Sequence, residues 1–212
     1  MNELIDLIVH TDDALLALVS DNVMKAYFVL FAIILLETGV IFFPFLPGDG
    51  LLFSAGVMTA TTELNIYILL PLLIVSAILG NTINYKTGTL LGGSFRNSNN
   101  YFIKSYILKH LPKAEEFYLK HGGRAIILGR FFPVIRTYIP FVAGLVRMKK
   151  RMFLKNTAVG AILWISLFLC LGNLLGEITW IKNNYGIIFL SLVLITLIPL
   201  LVTLLRKSFS KT

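Results

Sequence analysis

Charge is what this sequence has least of. Only 14% of its 212 residues are Asp, Glu, Lys or Arg, whereas 57% are hydrophobic, and the mean hydropathy is +0.82. About a quarter of an ordinary soluble domain is charged, so a mainly water-covered surface is excluded. Cysteine occurs once, as Cys170 within an apolar run, which excludes a disulfide framework and a cysteine metal site. The three histidines, His10, His110 and His121, are scattered. No H-E-x-x-H, P-loop or G-x-S-x-G pattern occurs. With no metal-ligand set and no nucleophile beside a base, the chain is expected not to be an enzyme, with no cofactor and no metal.

What is abundant is long apolar sequence. A helix crosses a bilayer with roughly 20 residues, and stretches of that kind lie near 26–43, 66–91, 154–176 and 184–205. Residues 1–24 differ. They carry Glu3, Asp6, Asp12, Asp13 and Asp21 where a secretory signal has a basic start. With Leu4, Ile5, Ile8, Val9, Leu15, Leu16 and Val19 on one side, they read as an amphipathic surface helix. The net charge of +8 would suggest nucleic acid as a partner of a soluble chain. Here 14 of the 19 Lys and Arg fall in three patches, 92–124, 147–155 and 206–212. Basic loops stay cytoplasmic, so these patches are expected on that face of an inner, multi-pass membrane protein, and nucleic acid is not.

That placement constrains 125–146. Both flanks are basic and belong on the same side, yet 22 residues cannot cross twice as full helices. Pro133 and Pro140 are each expected to interrupt a helix there. A re-entrant hairpin satisfies both conditions, and a broken backbone at membrane depth is tolerated only against protein or a wet cavity. A repeat supports this. Phe42-Phe43-Pro44 precedes Ala55-Gly56 by the same arrangement as Phe131-Phe132-Pro133 precedes Ala143-Gly144, with proline-to-alanine spacings of 11 and 10. Each copy holds a second proline, Pro47 or Pro140, and leads into a long apolar helix. The expected fold is all-α and polytopic. It is an inverted repeat of two re-entrant hairpins, each followed by a transmembrane helix. The single membrane domain, 1–212, comprises the N-terminal helix (1–24), a first repeat (26–91) and a basic cytoplasmic loop (92–121). A second repeat (122–176) and a C-terminal span (184–205) complete it. Whether 26–43 spans or forms the first arm of its hairpin is left open, and with it the side of the N-terminus.

Four charges fall within the hairpins: Glu37, Asp49, Arg130 and Arg136. Each costs roughly 2.5–3.5 kcal/mol at the bilayer centre even on lenient scales, so such residues are paired, wet or functional. Guanidinium presents a planar fork of donors suited to phosphate, and a desolvated carboxylate gains proton affinity. Arg130 and Arg136 are therefore candidates for substrate binding, and Glu37 and Asp49 for proton coupling. Mutual neutralisation of the four is the structural alternative. Pro44, Pro47, Pro133, Pro140, Asn84, Tyr85 and Asn156 are candidates for the cavity wall. Asn81, on the helix of Asn84 and Tyr85, is a further candidate for the wall, with polar helix-packing contacts the alternative, and Trp164 shares a helix face with Asn156, where packing explains it.

These residues resemble the DedA family, the bacterial SNARE-associated or VTT-domain membrane proteins. The likeness lies in Glu37-Thr38-Gly39, Pro44 to Asp49, Ser54-Ala55-Gly56 and Gly80 to Tyr85. It is closer in His121-Gly122-Gly123, Gly129 to Pro133, Arg136-Thr137, Pro140 to Gly144, Met148, Phe153, Asn156, Gly160 and Trp164. The resemblance implies transport of lipid phosphates, such as undecaprenyl phosphate or phospholipids, linked to proton-motive force. It places the family's acidic and arginine pairs on Glu37, Asp49, Arg130 and Arg136. One departure is Asn81, where relatives tend to carry Asp. The expected function is thus a flippase whose partners are a lipid phosphate, protons and membrane lipids, with a homo-oligomer left open. A proton-coupled small-cation or drug antiporter is the alternative, and a non-transporting envelope partner a third.

Overall fold

The computed structural model describes residues 22–40, 48–96 and 111–178, without the side chains of 91–96, 133 and 134. Every regular element among these residues is helical. The N-terminal amphipathic segment lies outside them except for its last three residues, and so do Pro44, Pro47 and the span expected at 184–205. Helix α1, Val23–Gly39, starts where the Asn22 carboxamide accepts the free N–H groups of Met24 and Lys25 at 2.9 and 3.2 Å. Helix α2, Gly48–Thr61, carries Asp49 in its first turn, where the helix dipole favours an acid. Helix α3, Ile66–Arg96, is capped by Asn65, whose Oδ1 accepts the Tyr67 N–H at 2.8 Å. Helix α4, Leu111–His121, ends at Gly122, where a φ of +57° reverses the chain. The stretch expected as a basic loop, 92–121, is therefore helical at both ends.

Between Ala125 and Leu145 the helical backbone breaks once, at Phe132. Helix α5, Ala125–Leu128, passes into a 3₁₀ turn, Gly129–Phe131. Phe132 is extended at φ −112° and ψ 108°, and Pro133 then opens helix α6, Pro133–Leu145. Proline drives the preceding residue out of the helical region and suits the first helical position itself. The interruption expected at Pro140 does not occur: α6 continues through it. A proline removes one ladder bond, and this buried helix retains the rest. Helix α7, Lys150–Gly176, follows. Within the described chain, Ile66–Leu90 and Lys150–Gly176 are apolar helices of 25 and 27 residues. At 1.5 Å per residue they reach about 38 and 40 Å, more than a bilayer core of about 30 Å.

The described residues form two compact units, one of 22–29, 48–70 and 166–178 and the other of 30–40, 71–96 and 111–165. In the first unit α2, buried from Gly48 to Met58, lies against the end of α7. A side chain on Gly56 would overlap the Leu169 carbonyl, and one on Gly172 the Phe53 carbonyl. In the second unit α6 lies against α3 in the same way, with Gly144 meeting the Tyr85 carbonyl and Gly88 the Phe141 carbonyl. Gly56 and Gly144 match in the sequence repeat, while Gly88 and Gly172 are each residue 23 of their helices. Small residues that let helix backbones touch are what holds helices together where lipid, not water, is the solvent. Each short helix thus packs on the long helix of the other sequence copy. In the second unit α4 also covers α6, with Leu111, Ala114, Ile126, Tyr138, Ile139, Val142 and Phe153 in one buried cluster.

Candidate substrate site

Both arginines singled out in the second copy of the sequence repeat meet one acid of the first. Within the second unit a small cavity is lined by Glu37 and Thr38 at the end of α1, Asn81 of α3, Arg130 of the 3₁₀ turn, Arg136 and Thr137 of α6, and Trp164 of α7. Its volume is about 10 Å³, room for the centre of about one water molecule. Nothing as large as a phosphate group enters unless its walls part.

Arg136 Nη2 lies 2.5 Å from Glu37 Oε1, and the two side chains are 5% and 2% exposed. Arg130 is also 95% buried, and its Nε and Nη2 have no hydrogen-bond acceptor among the described residues. A buried donor without an acceptor costs about 1–3 kcal/mol, and more when charged. Among the described residues the lining ionisable groups are thus two guanidiniums and one carboxylate, one positive charge in surplus. Both cations lie over the indole of Trp164, Arg130 Cζ at 5.6 Å and Arg136 Cζ at 5.4 Å from its centroid. The aliphatic stem of Arg130 reaches Trp164 by crossing Gly160, where an added Cβ would stand 3.1 Å from Arg130 Cδ and Nε. Gly160 and Trp164 are four apart and so stack on one helix face.

Asn84 sits one turn beyond Asn81 and is fully buried. Its Nδ2 donates to the Thr137 carbonyl at 2.7 Å and the Thr38 carbonyl at 3.4 Å. It thereby ties α1 to α6 at the residues beside Glu37 and Arg136. The Tyr85 hydroxyl donates to the Met148 carbonyl at 2.5 Å and its ring stacks on Phe153 at 4.3 Å. Asn156 Nδ2 turns back to the Met152 carbonyl at 2.9 Å. Pro133 heads α6 and Pro140 is buried within it. Asp49 belongs to the first unit, 9% exposed in the first turn of α2. Among the described residues there is no cluster of three or more His, Cys, Asp or Glu suited to a metal.

A VTT-domain family model matches residues 46–174. The chain belongs to the DedA family of VTT-domain membrane proteins. It is 38% identical over 206 residues to Protein DedA of Escherichia coli strain K12, covering 96% of this chain and 93% of that protein. It is 36% identical over 156 residues to inner membrane protein YqjA of the same organism, covering 71% and 68%. An uncharacterized membrane protein of Mycobacterium leprae is 36% identical over 171 residues, 80% and 75%. No solved structure matches. Trp164, Thr38 and Thr137 were missed as site residues by sequence reasoning. For Trp164 the available signal is its four-residue spacing from Gly160, which puts a bare backbone and an indole on one face.

Proposed function

We propose that this DedA-family protein is a carrier that moves a phosphate-bearing lipid across the inner membrane, and is not an enzyme. The observation that carries the reading is Arg130, a buried guanidinium with unused donors beside an Arg136–Glu37 pair. Among the described residues such a site lacks one anion, and phosphate fits a guanidinium fork. The head group would bind Arg130 and Arg136 while the tail stays in lipid. Protonation of Glu37 would release Arg136 to the phosphate, and its deprotonation would reclaim Arg136 and expel the head group. This couples transport to protons, with Asp49 as the second coupling acid. The pairing of Glu37 with a cation weighs against a site built to hold small cations.

The break at Phe132 and the twice-used glycine contact support two re-entrant hairpins in an inverted repeat. The 92–124 and 147–155 segments and the C-terminus would then face the cytoplasm. The test is reconstitution in liposomes holding labelled undecaprenyl phosphate, with head-group accessibility followed with and without a pH gradient. Protein-dependent translocation that is lost in Arg130→Gln and Arg136→Gln is expected. Normal translocation by both variants, shown to be inserted, would overturn the reading.

A further inference from the structure

Resting on that reading, we propose that Trp164 is a positioning residue for the anion: the indole face holds the guanidiniums of Arg130 and Arg136 and leaves the edge of Arg130 available to the phosphate. The argument begins with what a buried arginine needs. Its five N–H groups lie in one plane and its charge is spread over that plane. A carboxylate neutralises it by occupying the edge, as Glu37 does for Arg136 at 2.5 Å. An aromatic ring attracts it through the face and uses no donor. Arg130 combines burial, a ring at 5.6 Å and two donors, Nε and Nη2, without an acceptor among the described residues. The arrangement keeps the cation in place while its hydrogen-bonding edge remains unspent.

Trp164 suits this role by position as well as chemistry. It is 1% exposed, so its attraction for a cation acts in a desolvated setting, where cation–π contacts are strongest. It touches both arginines, one from the 3₁₀ turn before the break at Phe132 and one from α6 beyond it. One ring therefore sets the spacing of two cations carried on either side of a backbone discontinuity. The preceding turn of α7 presents Gly160, across which the Arg130 stem lies. Together Gly160 and Trp164 form a track for that side chain, bare backbone below and indole above. Without the ring each arginine has more rotamers to give up when an anion binds.

The test separates ring electronics from ring size. In full-length protein carrying Trp180→Phe, Trp164 is the sole tryptophan and is replaced biosynthetically by mono-, di- and trifluorotryptophan. Fluorine drains the π face and hardly alters the volume. Farnesyl phosphate is the probe, farnesol the uncharged control, and thermal unfolding the structural readout. The expected result is a stepwise weakening of farnesyl phosphate binding with fluorination at constant unfolding temperature. Trp164→Phe should retain part of the affinity and Trp164→Leu should lose roughly three- to tenfold, the cost of ordering a freed arginine. Binding that is indifferent to fluorination, yet still abolished by Arg130→Gln, would overturn the role of Trp164 and leave the phosphate site standing. Equal binding of farnesyl phosphate and farnesol by unaltered protein would overturn the site itself, and the role of Trp164 with it.

Discussion

The Glu37–Arg136 pair offers a test in which the charge count gives an unequal answer. The two groups meet at 2.5 Å with almost no exposure. Opposite charges about 4 Å apart attract by about 4 kcal/mol at an effective dielectric of about 20. Removing one partner from a buried pair typically costs about 3–5 kcal/mol. The cavity, however, holds a second cation, Arg130, over the same indole. Glu37→Gln leaves two guanidiniums and no carboxylate in the lining. Arg136→Gln leaves one of each, and Arg130 inherits the field of Glu37. Glu37→Gln should therefore lose the full amount and Arg136→Gln distinctly less. At about 2–4 °C per kcal/mol for a chain of this size, the first falls by roughly 6–20 °C. The double variant restores the original surplus of one positive charge and should recover most of that loss. Thermal unfolding of the detergent-solubilised proteins, read as the monodisperse peak on size exclusion, measures all three. Liposome transport should be lost in Arg136→Gln and in the double variant alike. If Glu37→Gln is no more destabilising than Arg136→Gln, the charge count is wrong. If the stable double variant transports at the normal rate, the pair is only a brace.

Three further outcomes follow from the same geometry. Gly160→Ala puts a methyl 3.1 Å from Arg130 Cδ and Nε and 3.3 Å from the Ile127 Cα, so the arginine and that backbone must shift by a few tenths of an ångström; lipid phosphate affinity should fall about two- to tenfold by rotamer disturbance, with a smaller fall in unfolding temperature than Glu37→Gln shows. Asn81→Asp adds a carboxylate to a cavity whose lining carries one surplus positive charge; ionised, it should neutralise that surplus and weaken phosphate binding, measured as a higher dissociation constant at pH 8 that recovers towards pH 5 as the carboxyl protonates. Arg147 ends α6 at φ +51°, with its N–H donating to the Gly144 carbonyl at 3.0 Å and that of Met148 to Ala143 at 2.9 Å. This is the left-handed cap that glycine prefers, so Arg147→Gly should raise stability by about 1 kcal/mol in chemical or thermal unfolding.

How much of this was legible in the sequence depends on whether a signal is local. The break at Phe132 is local: a proline and its effect on the residue before it are written in two adjacent positions. Pro140 misleads for the same reason, because its cost is also local, one ladder bond, whereas the burial that lets α6 continue comes from partners distant in sequence. Glu37, Arg130 and Arg136 stand out because a charge in an apolar run is expensive wherever it folds. Which acid meets which arginine is not local. Glu37 takes Arg136, a partner 99 residues away, and Asp49 belongs to a different unit. Trp164 is the instructive omission. An indole carries no charge, so it is far less expensive in an apolar helix than an arginine; its spacing from Gly160 is the one local signal, and packing accounts for that equally well. Its interest arises only when two cations are found over it and one of them has donors to spare. Expensive residues announce a site from sequence; the inexpensive residues that hold them ready become visible only through what they touch.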